Sequence, residues 1–303
     1  MSNHPLQSAF SASSALLLSD GGLAERAAAA KRDEPYFMAM RLDRLHRPTT
    51  TPEHMTEFST GRPRFSLIIP ARNEEAYLPR LLDSIDVARN VYHGGADHIE
   101  VIVADNVSTD ATAQIARQRG CRVVRVETRN IGAVRNGGIR ASSGEIVTTV
   151  DADARIHAET FNVIDETLRT GRVIAGATGV TLERWSLGIR VTYAWMAVMV
   201  WLIGIDTGLV FCTRKDFDAV GGYNEKRRFA EDVEFLWQLR RLGRPRGQKL
   251  ARVSSAKAIY STRKFDLYGD WHYFRLVLTT GRGLFFPEAP NKAADEYWYS
   301  DRR

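Results

Sequence analysis

Two acidic pairs in this sequence have residue types and spacing that suit chemistry. The first is Asp151-Ala152-Asp153. It closes the run Ile146-Val147-Thr148-Thr149-Val150, whose apolar and β-branched residues read as a buried strand. In open α/β sheets, ligands collect beyond the carboxyl ends of the strands. Two carboxylates two residues apart at such an end are hard oxygen ligands for a divalent cation, and the cation can hold a phosphate. An ordinary strand end with aspartates as turn formers is the competing reading. The second pair, Glu231-Asp232, opens a segment whose Phe235, Leu236, Leu239 and Leu242 form one helical stripe. Carboxylates there also suit the positive end of a helix dipole, a purely structural role.

The elements that must position these pairs follow from the periodicity. Phe65 to Pro70 is a short apolar run, read as a first buried parallel strand that Pro70 ends. Leu78, Leu81, Leu82 and Ile85 recur at helical spacing. Ile99 to Ala104 is a second strand, ending at Asp105. The turn Asn106-Val107-Ser108-Thr109-Asp110 offers Ser108 or Thr109 as cap for a helix from Ala111 to Arg119, with Gly120 at its C-terminus. Cys121 to Val126 is a third strand, Gly132 to Ala141 a helix, and the strand before Asp151 the fourth. This alternation predicts a parallel sheet with right-handed crossovers. Beyond it come a helix over about 158–170, strands at 173–181, 208–213 and 251–261, a short helix at 216–220 and the helix that Glu231 and Asp232 open. Residues 265–285 have helical tendency.

The totals bound the rest. The chain has 303 residues, 44% hydrophobic and 26% charged, which is enough for one large α/β domain or two small ones with a real core. The net charge of +6 suits anionic substrates or an anionic membrane surface. Its Lys and Arg residues are spread along the chain, so no nucleic-acid partner is implied. Cys121 and Cys212 form no CxxC pair, and two lone thiols suggest a reducing compartment; one disulfide between them is the alternative. Ala15-Leu16-Leu17-Leu18 is too short for a secretory core, and no run reaches the roughly 20 apolar residues of a spanning helix. The expected location is cytoplasmic, including the inner face of the cytoplasmic membrane. No GxGxxG or Walker A loop is present, which argues against a dinucleotide-dependent dehydrogenase or a P-loop enzyme.

Taken together, several motifs resemble those of family 2 glycosyltransferases with the GT-A fold. They are Ser66 to Glu75, Val103 to Asp110, Gly132 to Gly138, Gly144-Glu145-Ile146 leading into Asp151-Ala152-Asp153, Val220-Gly221-Gly222-Tyr223 and Glu231-Asp232. The resemblance covers roughly residues 64–262. It implies an α/β fold with a mostly parallel central sheet flanked by helices, occupying 63–262. Residues 1–62 are then an N-terminal arm or linker, with an Ala-rich helix near 21–31, and 263–303 a C-terminal helical extension or lid. The implied activity is metal-dependent transfer of a sugar from a nucleoside-diphosphate donor to an acceptor hydroxyl. A UDP-sugar is favoured as donor over GDP-mannose.

The resemblance also implies roles. The loop carrying Pro70, Ala71, Arg72 and Glu74, together with Asp105, would hold base and ribose; Asp105 could instead be a capping residue. Arg135 would lie near the pyrophosphate, where a fixed cation offsets phosphate charge; a surface helix arginine is the alternative. Asp151 and Ala152 would contact the donor, and Asp153 with Asp151 would bind Mg2+ or Mn2+. Asp232 would be the general base of an inverting displacement, with Glu231 orienting it or touching the donor sugar. Glu234 reads as a solvated helix residue.

Some features depart from the family pattern. Ile131 stands where many members carry a basic residue. His272 is the only histidine after position 157 and reads as structural rather than as a third metal ligand. Ser261-Thr262-Arg263-Lys264 can form a lid bringing Arg263 or Lys264 over the diphosphate, or can be a solvated loop. Val191 to Ile205 is apolar on all faces, which fits a core helix, a subunit contact in a homo-oligomer, or peripheral membrane contact with a lipid-linked acceptor. A saccharide acceptor is the other expectation. Two competing functions are a sugar-1-phosphate nucleotidyltransferase, against which the acidic first loop argues, and a non-catalytic sugar-nucleotide-binding protein, against which the retained acidic pairs argue.

Overall fold

The structure is a computed structural model that describes residues 61–227, 230–272 and 274, without the side chains of 199 and 201–203. All but the last two residues of the arm expected over 1–62, and most of the extension expected over 263–303, lie outside the described residues. The first half of the fold alternates strictly. It runs β1 (Phe65–Ala71), α1 (Leu78–Val91), β2 (Ile99–Asp105), α2 (Thr112–Gln118), β3 (Arg122–Arg125), α3 (Ile131–Arg140) and β4 (Ile146–Thr149). The second half contains β5 (Ala154–Arg155), α4 (Thr160–Arg169), β6 (Val173–Ala177), β7 (Val180–Leu182), α5 (Leu187–Ile203) and β8 (Val210–Thr213). It ends with α6 (Arg214–Val220), α7 (Glu231–Gly243), β9 (Lys249–Arg252), β10 (Ala258–Tyr260) and α8 (Arg263–Tyr268).

Seven strands form one sheet in the order β3-β2-β1-β4-β8-β6-β9, and β5-β10-β7 form a small second one. The large sheet is parallel except for β8, which runs antiparallel to both β4 and β6. The expected α/β fold with a mostly parallel, helix-flanked sheet is the one observed. The chain lays β2 and β3 on one side of β1 and β4 on the other, so the strand order reverses between β1 and β4. That is the topological switch point, where a crevice opens beyond the strand ends. Glu74 follows β1, and Asp151-Ala152-Asp153 follows β4.

Every residue of β1 is buried, as a central strand covered on both faces requires. One face carries Phe65, Leu67 and Ile69 against α1 and α4, where Phe65, Tyr92 and Phe161 meet edge to face. The other face carries Ile68, with Ala104 of neighbouring β2, against α3, α6 and α7. There α3 approaches closely because Gly138 lacks a side chain; a Cβ would stand 2.6 Å from Ile68 Cγ2.

Several boundaries differ from the sequence expectation. Pro70 does not end β1, which continues to Ala71 beside β2. Pairing with β4 has already stopped at Ile68, so the missing N–H of Pro70 breaks no bond on that side. Neither Ser108 nor Thr109 caps α2. The cap position is Ala111, which has no side-chain acceptor to offer, and Asp110 before it accepts from the Thr112 backbone N–H at 2.9 Å. The strand expected over 173–181 turns at Gly179, with φ of 73°, and serves two sheets as β6 and β7. The strand expected over 251–261 is likewise split into β9 and β10. Both cysteines are free, which removes the disulfide alternative. Among the described side chains of the apolar stretch, Thr192 and Ile205 are buried, as is Ile189 before it, whereas Met196 and Val198 are about half exposed (48% and 52%). No helix among the described residues is long and apolar enough to cross a membrane.

Candidate functional site

Two loops laced together form one wall of the crevice. Asn73 N–H donates to Ser108 Oγ at 3.1 Å, and Asn73 Oδ1 accepts from Thr109 N–H at 2.8 Å. Glu74 N–H donates to Thr112 Oγ1 at 2.7 Å, and Glu75 Oε2 accepts from Ala111 N–H at 2.9 Å. Arg72 donates to the Asn106 carbonyl at 3.0 Å. Asp105 is buried at the end of β2 and accepts from Ser108 N–H at 3.2 Å, so part of its hydrogen-bonding capacity shapes the turn. Pro70 and Ala71 end the buried strand below, and Ala152 is buried in the core.

Among the described residues, the non-glycine residues at positive φ are Asn73, Val107 and Ala230, at 53°, 56° and 54°. The first two lie in these loops, and the third immediately precedes Glu231. The left-handed region is costly for a residue with a Cβ, most of all a β-branched one, and such strain concentrates where a fold serves a site. Ala230→Gly is therefore expected to raise stability by about 0.5–1 kcal/mol, the relief of left-handed strain less the extra backbone entropy of glycine. Urea unfolding of the two proteins measures it.

The opposite wall is electrostatic. Arg135, buried on α3, donates from Nη2 to Asp151 Oδ1 at 2.9 Å and from Nη1 to Glu231 Oε1 in a short ion pair. Its guanidinium also lies over the Tyr223 ring, 5.4 Å from the centroid. One planar cation thus joins the aspartate after β4 to the head of α7. Burial opposes its charge, but Glu231 and Asp151 outweigh that and hold it protonated. Burial raises Glu231 against the pull of Arg135. Asp232 is raised by burial in the same way, again against Arg135. Asp232 accepts from its own helix through Val233 N–H at 2.8 Å.

On the other side of the crevice Arg263, at the start of α8, forms a bidentate pair with Glu74. Nη1 is 2.7 Å from Oε2 and Nη2 is 2.8 Å from Oε1. Its Nε is 3.1 Å from Asp153 Oδ2, and its guanidinium lies 4.7 Å from the centroid of the Tyr77 ring. Burial pushes Asp153 up to about 6 despite Arg263, with Asp151 and Glu74 adding to the rise.

The Gly221-Gly222-Tyr223 turn is held by a residue to which sequence reasoning gave no role. Asn136 accepts from Tyr223 N–H at 2.9 Å and donates to the Tyr223 carbonyl at 2.8 Å. Gly222, at φ of 78°, leaves room for this clasp; a Cβ there would stand 2.7 Å from Asn136 Oδ1. Tyr223 stacks on Phe235 with centroids 4.3 Å apart, and its hydroxyl is 2.9 Å from Thr149 Oγ1, tying α7 to β4. Glu234 is not the solvated residue expected. It accepts from Asn224 at 3.1 Å and pairs with Arg227 at 3.2 Å, fixing the loop before α7. The signal for both was the motif spacing, which carried no information about partners.

The crevice thus brings together Asp151, Arg135 and Glu231, with Asp232 one residue further along α7, and separately Glu74, Arg263 and Asp153. Among the described residues, no group of three or more His, Cys, Asp and Glu side chains is arranged to hold a metal ion. Asp151 and Asp153 are nevertheless hard oxygen donors, the kind Mg2+ uses one or two at a time when substrate phosphates complete its shell. The pair fits a divalent cation brought in with a diphosphate. His272 stacks on Tyr268 with centroids 4.8 Å apart and joins no metal-binding group with the aspartates.

Residues 66–193 match the family model described as glycosyl transferase family 2. A curated relative, the putative glycosyltransferase EpsH of Bacillus subtilis, is 34% identical over 96 residues, which cover 30% of this chain and 26% of that protein. The chain therefore matches about a quarter of that relative's length. Two solved structures share the fold. Glucosyl-3-phosphoglycerate synthase from Mycobacterium tuberculosis, in complex with Mn2+, UDP and glucosyl-3-phosphoglycerate, superposes with a TM-score of 0.51 at 20% identity, over 78% of this chain and 85% of that one. The mannosyltransferase PcManGT from Pyrobaculum calidifontis, in complex with GDP-Man and Mn2+, gives 0.50 at 18% identity, over 90% and 82%. The architecture is the GT-A fold.

Proposed function

We infer, from a chain whose residues 66–193 belong to glycosyl transferase family 2, that it transfers a sugar from a nucleoside-diphosphate donor to an acceptor hydroxyl. The observation that carries this is the Arg135 bridge. It sets Asp151, the first of the aspartate pair after β4, beside Glu231 at the head of α7, which supports a reading in which leaving group and proton acceptor share one crevice.

In this reading the loop Pro70, Ala71, Arg72 and Glu74, with Asp105, surrounds base and ribose. Asp151 and Ala152 face the ribose and diphosphate, and Asp153, with Asp151 beside it, holds Mg2+ or Mn2+. When bound, that cation supplies Lewis acidity for the departing nucleoside diphosphate. Asp232 takes the proton from the acceptor hydroxyl as its oxygen bonds to the anomeric carbon. The bond from that carbon to the phosphate oxygen breaks with its electron pair going to the phosphate, and the centre inverts. Burial makes Asp232 a stronger base than an exposed aspartate. Glu231, committed to Arg135, positions Asp232. The two Nη groups of Arg135 are likewise committed to carboxylates, so much of its charge is already balanced before a diphosphate binds.

The donor is a UDP-sugar in the favoured version and GDP-mannose in the other. UDP- and GDP-containing complexes of proteins sharing the fold support this class. The exposed apolar side of α5 is the surface assigned to an apolar or lipid-linked acceptor, which flotation of the protein with liposomes tests.

The deciding experiment incubates the protein with UDP-sugars or GDP-mannose and Mn2+ and identifies the product. Free UDP or GDP agrees with transfer, whereas pyrophosphate would indicate nucleotidyl chemistry instead. Asp153→Ala is expected to abolish the Mn2+-dependent part of the thermal shift given by UDP or GDP. Transfer by this variant at the wild-type rate would overturn the assignment of Asp153.

A further inference from the structure

Arg263 is engaged by two of the carboxylates that the proposed reading gives to the incoming substrate, Glu74 and Asp153. Its fork is filled by Glu74, whose side chain is only 5% exposed, and its Nε lies on Asp153. A buried carboxylate such as Glu74 needs a partner whether or not a donor is bound. The segment carrying Arg263 is anchored on the aspartate motif itself, because Ser261 N–H donates to the Asp153 carbonyl at 3.2 Å. Ser261 Oγ then accepts from Arg263 N–H at 3.1 Å. Further along, Asp266 and Asp270 pair with Arg184 at 2.5 and 2.7 Å, tying α8 to the segment entering α5. The guanidinium is thus tethered at both ends of a short helix and can change partners without leaving the crevice.

We propose that Arg263 is a built-in counter-cation that holds Glu74 and Asp153 until a nucleoside diphosphate and a divalent cation arrive together, and then yields Asp153 to the metal. The inference rests on the donor-site reading above. A divalent cation on Asp153 and a guanidinium on the same carboxylate repel each other, so metal binding displaces Arg263. Without nucleotide the Nε freed from Asp153 has no second anion to take. With nucleotide the guanidinium keeps Glu74 on its fork and presents Nε to a diphosphate oxygen in a charge-assisted bond. Metal and nucleotide therefore bind with positive coupling, and by linkage each strengthens the other by the same factor. The device disfavours capture of free metal and makes the metal–nucleotide pair the species that opens the latch.

The test titrates the full chain with Mn2+, followed by the electron paramagnetic resonance signal of free Mn2+, with and without UDP or GDP. Arg263→Gln is expected to bind Mn2+ alone about tenfold more tightly than wild type, and the enhancement by nucleotide is expected to shrink by a similar factor. Because Arg263→Gln removes a cationic partner of the buried Glu74, Glu74→Gln/Arg263→Gln is measured beside it; it removes both charges and should show the same tightening. Unchanged Mn2+ affinity in both variants overturns the latch. Asp153→Asn in each background separates this from the underlying reading. If tight Mn2+ binding survives Asp153→Asn, the metal sits elsewhere and the donor-site assignment itself fails.

Discussion

Asp232→Asn is expected to lower kcat by about 10²–10⁴-fold, the usual contribution of a positioned general base, while leaving nucleotide affinity intact. Asparagine keeps the size of the side chain and its hydrogen bond from Val233, but it cannot accept the proton. Because burial raises Asp232, the acid limb of the wild-type pH–rate profile should fall at a pH above the ordinary carboxylate range. The sign follows from the role. The base works only when deprotonated, so activity is lost as pH falls through its raised value, and the Asn variant should lose that limb. Rate against pH for both proteins, with UDP affinity measured separately, checks this. A variant that keeps near-wild-type kcat would remove Asp232 from the chemistry.

Arg135→Met is expected to cost about 3–5 kcal/mol of stability at neutral pH, the penalty for stranding buried charges by removing one partner. Two carboxylates, Asp151 and Glu231, depend on this one cation. Without it, burial drives Glu231 toward its protonated form. A carboxylate whose folded value is raised in this way gives stability at low pH that is lost as pH rises, so the deficit should narrow in acid. Adding Glu231→Gln removes one stranded charge and should recover part of the loss. Arg135→Lys should not restore the wild type, because one ammonium cannot reproduce the planar fork that reaches both carboxylates. Denaturant unfolding across pH measures each variant, and a full rescue by lysine would show that charge alone, without geometry, holds the site.

The legible parts of this protein were the local ones. Periodicity placed the four strands of the first half and the helices between them, because a strand buried on both faces must be a continuous apolar run and a covering helix must show its stripe. Where periodicity and topology parted, the sequence misled. The runs 173–181 and 251–261 read as single strands, yet each bends at a turn and joins two sheets. The pleat of a strand records which face is buried and not which sheet it belongs to. The apolar α5 read equally as core or surface, since hydrophobicity on all sides says nothing about which side the fold will cover.

By itself the sequence determined the alternation of strands and helices, the carboxylates at the end of β4 and at the head of α7, and the motif order that points to a sugar-nucleotide transferase. Tertiary structure alone decided how those charges are balanced. Arg135 reaches Glu231 across 96 positions, and Arg263 reaches Glu74 across 189. No local pattern encodes such pairings. They exist because the switch point gathers distant strand ends into one low-dielectric crevice, where each carboxylate must find a cation and the nearest ones come from α3 and α8.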